Sequence, residues 1–297
     1  MRLTRIRAPD FDLEKTLNSG QVFHWEKVGD GFVGTIGDRA LCLEQRGESL
    51  KVRFGEPPKP TRGPRVLPGI VARYFALDHP LRTICDSFPK DPVMIAARDF
   101  CRGLRIIRQP KWECLATFIC SSMKQVAHIR QISLALRKRF GEHRRIDDHL
   151  VYTFASPRRV AQASEKELVE CKLGYRAKNL RATAGLVSSG QADLEAWSAL
   201  PDPELRKQLC ALPGVGPKIA NCVMLFAFER LRAFPIDVWI ERVLRQHYFS
   251  RRRKMTAQRL RQFSETYFGE HGGYAQQYLF HHARMASRSD GSTQRSS

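Results

Sequence analysis

No run of about eighteen apolar residues occurs in the 297-residue chain, so a membrane-spanning helix is not expected. Eight cysteines are present, at positions 42, 85, 101, 114, 120, 171, 210 and 222, but they form no C-x-x-C pair and no close cluster. That spacing excludes a zinc-like ligand set, and no catalytic metal and no cofactor is predicted. In a chain this long and basic, without a signal peptide, it implies reduced thiols in an intracellular compartment, most of them small buried hydrophobes. No internal repeat is visible. Acidic residues are also scarce: 30 Asp and Glu stand against 50 Lys and Arg, leaving a net charge of +20.

Such an imbalance makes a polyanion the natural partner, bound with an affinity that falls as salt rises. The basic residues run from Arg2, Arg5 and Arg7 through Arg137-Lys138-Arg139 and Arg144-Arg145 to Arg251-Arg252-Arg253-Lys254, a distribution suited to a broad phosphate-tracking surface. The last cluster reads equally well as a solvated loop or a localisation signal.

Short apolar runs at residues 21–25, 31–36, 40–44 and 50–54 are punctuated by Gly-Asp turns and predict an antiparallel meander. A proline-rich connector follows at residues 57–68. Beyond it the apolar period becomes helical, with runs beginning at Trp112 and covering residues 126–140, 157–163, 165–171, 176–188, 193–198 and 203–211, and a last pair at 255–268 and 274–286. The expected fold is α+β: a small N-terminal antiparallel β domain (residues 1–87) packed on a mainly α-helical body (88–286), with a polar, disordered tail (287–297).

The chain is organised around Leu212-Pro213-Gly214-Val215-Gly216-Pro217-Lys218. The glycines allow a tight hairpin between two helices, and Pro217 suits the first turn of the second. Free backbone N–H groups at that helix start form an anion site fit for a DNA phosphate. Lys218 sits in the same first turn, where the field disfavours a cation and favours the neutral, nucleophilic amine. Asp237, after Pro235-Ile236 and before an apolar-periodic run, reads as the N-cap of the next helix. An amine that attacks a sugar C1′ and a carboxylate that stabilises an oxocarbenium-like ring together suffice to displace a base from deoxyribose.

These residues resemble the helix-hairpin-helix DNA glycosylase superfamily, and within it the 8-oxoguanine DNA glycosylases, whose Ser-Gly-Gln-x-Phe-x-Trp stands here as Ser19-Gly20-Gln21-Val22-Phe23-His24-Trp25. The resemblance reaches to about Ala286. It implies a bifunctional glycosylase and AP lyase that excises 8-oxoguanine from duplex DNA in base excision repair, acting as a monomer with the DNA inside the cell. Lys218 would be the Schiff-base nucleophile and Asp237 its electrostatic partner. Gly20 would offer its carbonyl to the N7–H that 8-oxoguanine has and guanine lacks. Cys222 and Phe280 would sandwich the flipped base while Gln276 reads its Watson–Crick edge. Tyr175 would wedge into the stack and Arg176 contact the opposite base; Gly214 and Gly216 would meet the backbone. The carbonyls of Cys210, Leu212 and Val215 match positions that hold a monovalent cation bridging to phosphate.

Departures matter as well. Many relatives in the superfamily carry a four-cysteine iron–sulfur cluster after the aspartate, whereas this chain has no cysteine beyond Cys222. Eukaryotic members of the family place asparagines and an arginine after Cys-Ser-Ser to read the opposite cytosine; here stand Met123-Lys124-Gln125 and His128. Trp239 replaces a histidine. Damage recognition is therefore expected to persist with a weaker demand for cytosine opposite the lesion. Two alternatives stay open at this level: a superfamily glycosylase for alkylated purines or oxidised pyrimidines, and a non-catalytic module that binds damaged DNA.

Overall fold

The computed structural model describes residues 2–55, 66–121, 125–249 and 256–293. Strands β1 (Arg2–Arg7), β2 (Glu26–Val28), β3 (Gly31–Ile36), β4 (Arg39–Arg46) and β5 (Ser49–Phe54), with helix α1 (Leu13–Asn18) between the first two, form one antiparallel sheet in the order β1-β5-β4-β3-β2. Register follows from turn length: Ile36 pairs with Arg39 and Arg46 with Ser49, closing two-residue hairpins. Each begins with a glycine at positive φ, Gly37 at +60° and Gly47 at +54°, as such turns require.

Side-chain alternation then sorts the strands onto two faces. Leu41, Leu43, Leu50 and Val52 pack with Leu13 and Leu17 of α1 and with Tyr74 of α2 (Val66–Tyr74). The opposite face, with Val33, Ala40 and Cys42, is covered by Ile146 and Val151 of a second hairpin, β6 (His143–Ile146) and β7 (His149–Tyr152). With both faces covered, β3 is buried along its whole length.

The body consists of α3 (Leu81–Asp86), α4 (Pro92–Phe100), α5 (Lys111–Cys120), α6 (Val126–Phe140), α7 (Pro157–Gln162), α8 (Glu165–Glu170), α9 (Arg176–Ser188), α10 (Asp202–Cys210), α11 (Pro217–Ala227), α12 (Val238–His247), α13 (Ala257–Tyr267) and α14 (Gly272–Thr293). Helices α5, α11 and α14 supply much of its centre, including the fully buried Leu115, Val223, Tyr274 and Tyr278. The Tyr278 hydroxyl is satisfied by donating to the Leu104 carbonyl at 2.9 Å. No helix among the described residues is long and apolar enough to cross a membrane.

Several sequence expectations need correction. Residues 21–25 form no strand: Val22, Phe23, His24 and Trp25 are all buried and the segment runs as an irregular connection. Its backbone is held by side chains, with Gln109 Nε2 donating to the Gln21 carbonyl at 2.8 Å. The run at 193–198 becomes only a 3₁₀ turn, Ala196–Ala199. The tail expected to be disordered from Ser287 is helical as far as Thr293, because extending an established helix adds a hydrogen bond per residue without a new nucleation cost. The cluster Arg251-Arg252-Arg253-Lys254 lies outside the described residues.

Sheet and body are joined through buried charge. Arg137 of α6, 2% exposed, donates to Glu113 of α5, to Thr35 Oγ1 of β3 at 3.0 Å and to the Tyr152 carbonyl of β7 at 3.0 Å. His24 lies beside Glu113 at 3.5 Å and its Nε2 meets the Thr35 carbonyl at 2.8 Å. Burial holds the His24 pKa well below its ordinary value, with Arg137 adding to the effect, so the imidazole is neutral here. Removing one partner of a buried ion pair strands the other. Arg137→Ala should therefore lower stability by about 3 to 5 kcal/mol, read from the urea midpoint; a loss below about 1 kcal/mol would disprove the bracing role.

Candidate active site

Two helix starts border one cavity. Gly216 is the N-cap of α11 and Pro217 opens it, which places Lys218 in its first turn. Asp237 caps α12 as expected, its carboxylate accepting from Ile240 N–H at 2.9 Å. The hairpin before α11 is pinned to α9: Gly214 takes φ +80°, a Cβ there would stand 2.8 Å from Asn179 Cβ, and Thr183 Oγ1 donates to the Pro213 carbonyl at 2.9 Å. The Leu212 carbonyl accepts Val215 N–H at 3.1 Å, closing the turn.

Lys218 and Asp237 both line a pocket of about 290 Å³, together with Gly20, Cys222, Gln276 and Phe280. The sequence had singled out all six, drawn from positions as distant as 20 and 280. Gly20 has φ +88°, and a Cβ on it would come within 3.0 Å of Phe280 Cε1, so its lack of a side chain leaves room at the wall. Among the described residues the buried Gln276 Oε1 has no hydrogen-bond partner, a cost a ligand's donor would remove. Phe118, Phe226 and Trp239 also line the cavity, the first two stacked at 5.5 Å. Lys218 Nζ stands 5.4 Å from the Phe118 ring centre and 3.5 Å from Ser121 Oγ. Sequence reasoning missed Phe118 and Ser121 as site residues; both lie on the apolar run from Trp112, where nothing local separates a pocket wall from core.

Burial dominates the electrostatics. It raises the Asp237 pKa above the ordinary carboxylate value, against the pull of Ile240 N–H and of Lys218. It also pushes the Cys222 thiol up to about 11, although Lys218 opposes the shift, so the thiol stays protonated and presents a neutral, polarisable face. Among the described residues no group of three His, Cys, Asp or Glu is arranged to hold a metal ion.

The residues expected to meet the rest of a duplex are placed unevenly. Tyr175 is 66% exposed just before α9. Arg176 is instead buried, with its guanidinium 4.3 Å from the Tyr175 ring centre and a hydrogen bond to the Leu173 carbonyl at 3.3 Å. His128 is exposed on α6, outside the pocket wall. Met123 lies outside the described residues.

For an Asp237 that acts in its anionic form, as the sequence expects, activity should fall as pH drops through its pKa. Since burial raises that pKa, the acid limb of the single-turnover rate should lie above the ordinary aspartate range; a limb at or below it would contradict this electrostatic account.

Residues 4–115 match the N-terminal domain of 8-oxoguanine DNA glycosylase, and residues 116–267 match the HhH-GPD superfamily base excision DNA repair protein. A probable N-glycosylase/DNA lyase of Methanothermobacter thermautotrophicus is 28% identical over 96% of this chain and 97% of its own. A solved structure of MBOgg1 with a low-affinity DNA ligand has 31% identity and a TM-score of 0.88 over 96% of each chain. The Clostridium acetobutylicum 8-oxoguanine glycosylase/lyase, solved with double-stranded DNA containing cytosine opposite 8-oxoG, has 26% identity and a TM-score of 0.86 over 96% of this chain and 98% of that one. With these similarities covering both the N-terminal segment that carries Gly20 and the helical body that lines the rest of the pocket, the chain belongs to the 8-oxoguanine DNA glycosylase family of the HhH-GPD superfamily.

Proposed function

We propose that the protein is a bifunctional DNA glycosylase and AP lyase that removes 8-oxoguanine from duplex DNA, acting as a monomer beside the genome. The observation that carries this reading is one pocket lined by an amine, a carboxylate, an apolar sandwich and an amide oxygen with no partner among the described residues. In the reaction, the Lys218 amine gives up a proton and attacks C1′ of the flipped nucleotide. The glycosidic bond breaks with its electron pair leaving on the base, and Asp237 faces the positive charge that builds on the sugar. Opening of the sugar ring gives a Schiff base, and loss of a C2′ proton then expels the 3′ phosphate, cutting the strand.

Recognition follows from the same wall. Cys222 and Phe280 cover the two faces of the base, Gln276 reads its Watson–Crick edge, and the Gly20 carbonyl accepts the N7–H of the oxidised purine. With guanine that acceptor faces a lone pair, a mismatch worth a few kcal/mol of discrimination. Tyr175 is the proposed wedge, compensating part of the cost of base extrusion. Gly214 and Gly216 approach the phosphate backbone, and the carbonyls of Cys210, Leu212 and Val215 are the proposed seat of a monovalent cation.

Borohydride trapping on a duplex with one 8-oxoguanine opposite cytosine should give a covalent adduct with the wild type and none with Lys218→Gln. Asp237→Asn should slow base release by about 10² to 10³-fold, the range for losing one preorganised electrostatic partner. An adduct that survives Lys218→Gln would refute the assigned nucleophile.

A second outcome concerns the partner strand. Methionine fills space but offers no amide to a cytosine, and His128 replaces a guanidinium. Excision opposite all four bases should therefore vary by no more than about tenfold, or roughly 1.4 kcal/mol. Strict dependence on cytosine would refute it.

A further inference from the structure

Gln276, Phe280 and Arg284 recur at i, i+4 and i+8 along α14, and all three line the pocket. The chemistry above uses the first two. Arg284 is 6% exposed, an expensive place for a charge unless that charge is used. Its Nη2 donates to the Asn18 carbonyl, two residues before Gly20. Its guanidinium carbon lies 5.4 Å from the Phe280 ring centre. Nη1 is 3.1 Å from the position that a Cβ on Gly20 would take. One side chain thus touches the Gly20 loop, the stacking ring and the space beside the Gly20 backbone. The neighbouring His281 is kept uncharged: burial, and then Arg284 itself, lower its pKa to about 4.

We infer that Arg284 is a specificity-determining residue, which holds the Gly20 loop and Phe280 in place and presents its guanidinium to the C8 carbonyl of an oxidised purine. The inference rests on the reading of Gly20 as the acceptor for N7–H. An 8-oxopurine carries a donor at N7 and an acceptor at C8 side by side. A backbone carbonyl next to a guanidinium is the complementary pair. Guanine reverses the match at N7 and offers only a C–H at C8, so both contacts fail together. Losing the cationic donor should leave the sugar chemistry intact, because Lys218 and Asp237 act at C1′ without it.

The test compares full-length wild type, Arg284→Met and Arg284→Lys in two single-turnover reactions: release of 8-oxoguanine from a duplex, and strand cleavage at a preformed abasic site. Arg284→Met should slow base release about 10- to 100-fold, as expected for a lost charge-assisted hydrogen bond, and keep abasic cleavage within about twofold. Arg284→Lys should recover a large part of base release. Equal base release by Arg284→Met and wild type would overturn the inference. So would a parallel loss of both reactions in both variants, which would make Arg284 a general packing residue. A wild type that cleaves abasic sites and leaves 8-oxoguanine in place would instead overturn the proposed lesion, so the two failures are distinguishable.

Discussion

Gln277 of α14 donates to the Ser19 carbonyl at 2.8 Å across 258 positions of chain, and the pocket depends on that docking of a loop to a helix. Gln21 completes it from the other side: its amide donates to Ser19 Oγ at 2.9 Å and to the Arg105 carbonyl at 2.8 Å, and accepts Ile107 N–H at 2.8 Å. Both amides are buried, so each broken bond would leave a dry polar group at a cost of about 1 to 3 kcal/mol. The loop therefore cannot drift from α14 without losing several such bonds together. The proposed discrimination of bases by one carbonyl hydrogen bond needs that rigidity, because a shift of a few tenths of an ångström would blur donor and acceptor alike.

The same logic explains why charge is buried at the junction. Arg137 satisfies Glu113, Thr35 and Tyr152 at once, tying α5 and α6 to the sheet and its covering hairpin. Packed hydrophobes could supply comparable stability at that place. What directional bonds add is register: β3, β7 and α6 meet in one arrangement, and α6 opens at the pocket with Val126 and Ile129 in its wall.

Much of the site was legible because its chemistry is encoded locally. Pro213-Gly214-Val215-Gly216-Pro217 fixes a turn and a helix start within seven residues of Lys218, and Asp237 announces its cap by what precedes and follows it. Gly20, Gln276 and Phe280 needed family resemblance, since no local pattern brings positions 20 and 280 together. The failures have the same origin. Val22, Phe23 and Trp25 have the composition of a strand, yet burial on every side replaced a ladder with side-chain bonds from Gln21 and Gln109. The hairpin β6–β7 hid behind His143-Arg144-Arg145, whose charge suggests a surface loop although Ile146 beside it is fully buried against the sheet. Arg137 and Arg284 look like solvated residues on a polar helix face, and only the packing of distant elements buries them.

Among the described residues lining the pocket, Asp237 is the sole carboxylate. Burial makes its ionised form costly, while the N–H groups at the start of α12 reduce that cost. Neither influence changes in the proposed reaction; what changes there is the sugar, which gains positive charge as the base departs. The low-dielectric environment that penalises the lone carboxylate also strengthens its attraction to that new cation, so the interaction is larger in the transition state than before it. A second anion nearby would raise the Asp237 pKa further and favour its protonated form. Cys222, held protonated by burial despite Lys218 nearby, offers the proposed face for the base without adding a charge. A serine there would lose the polarisable contact, and an acidic residue would raise the Asp237 pKa by like-charge repulsion.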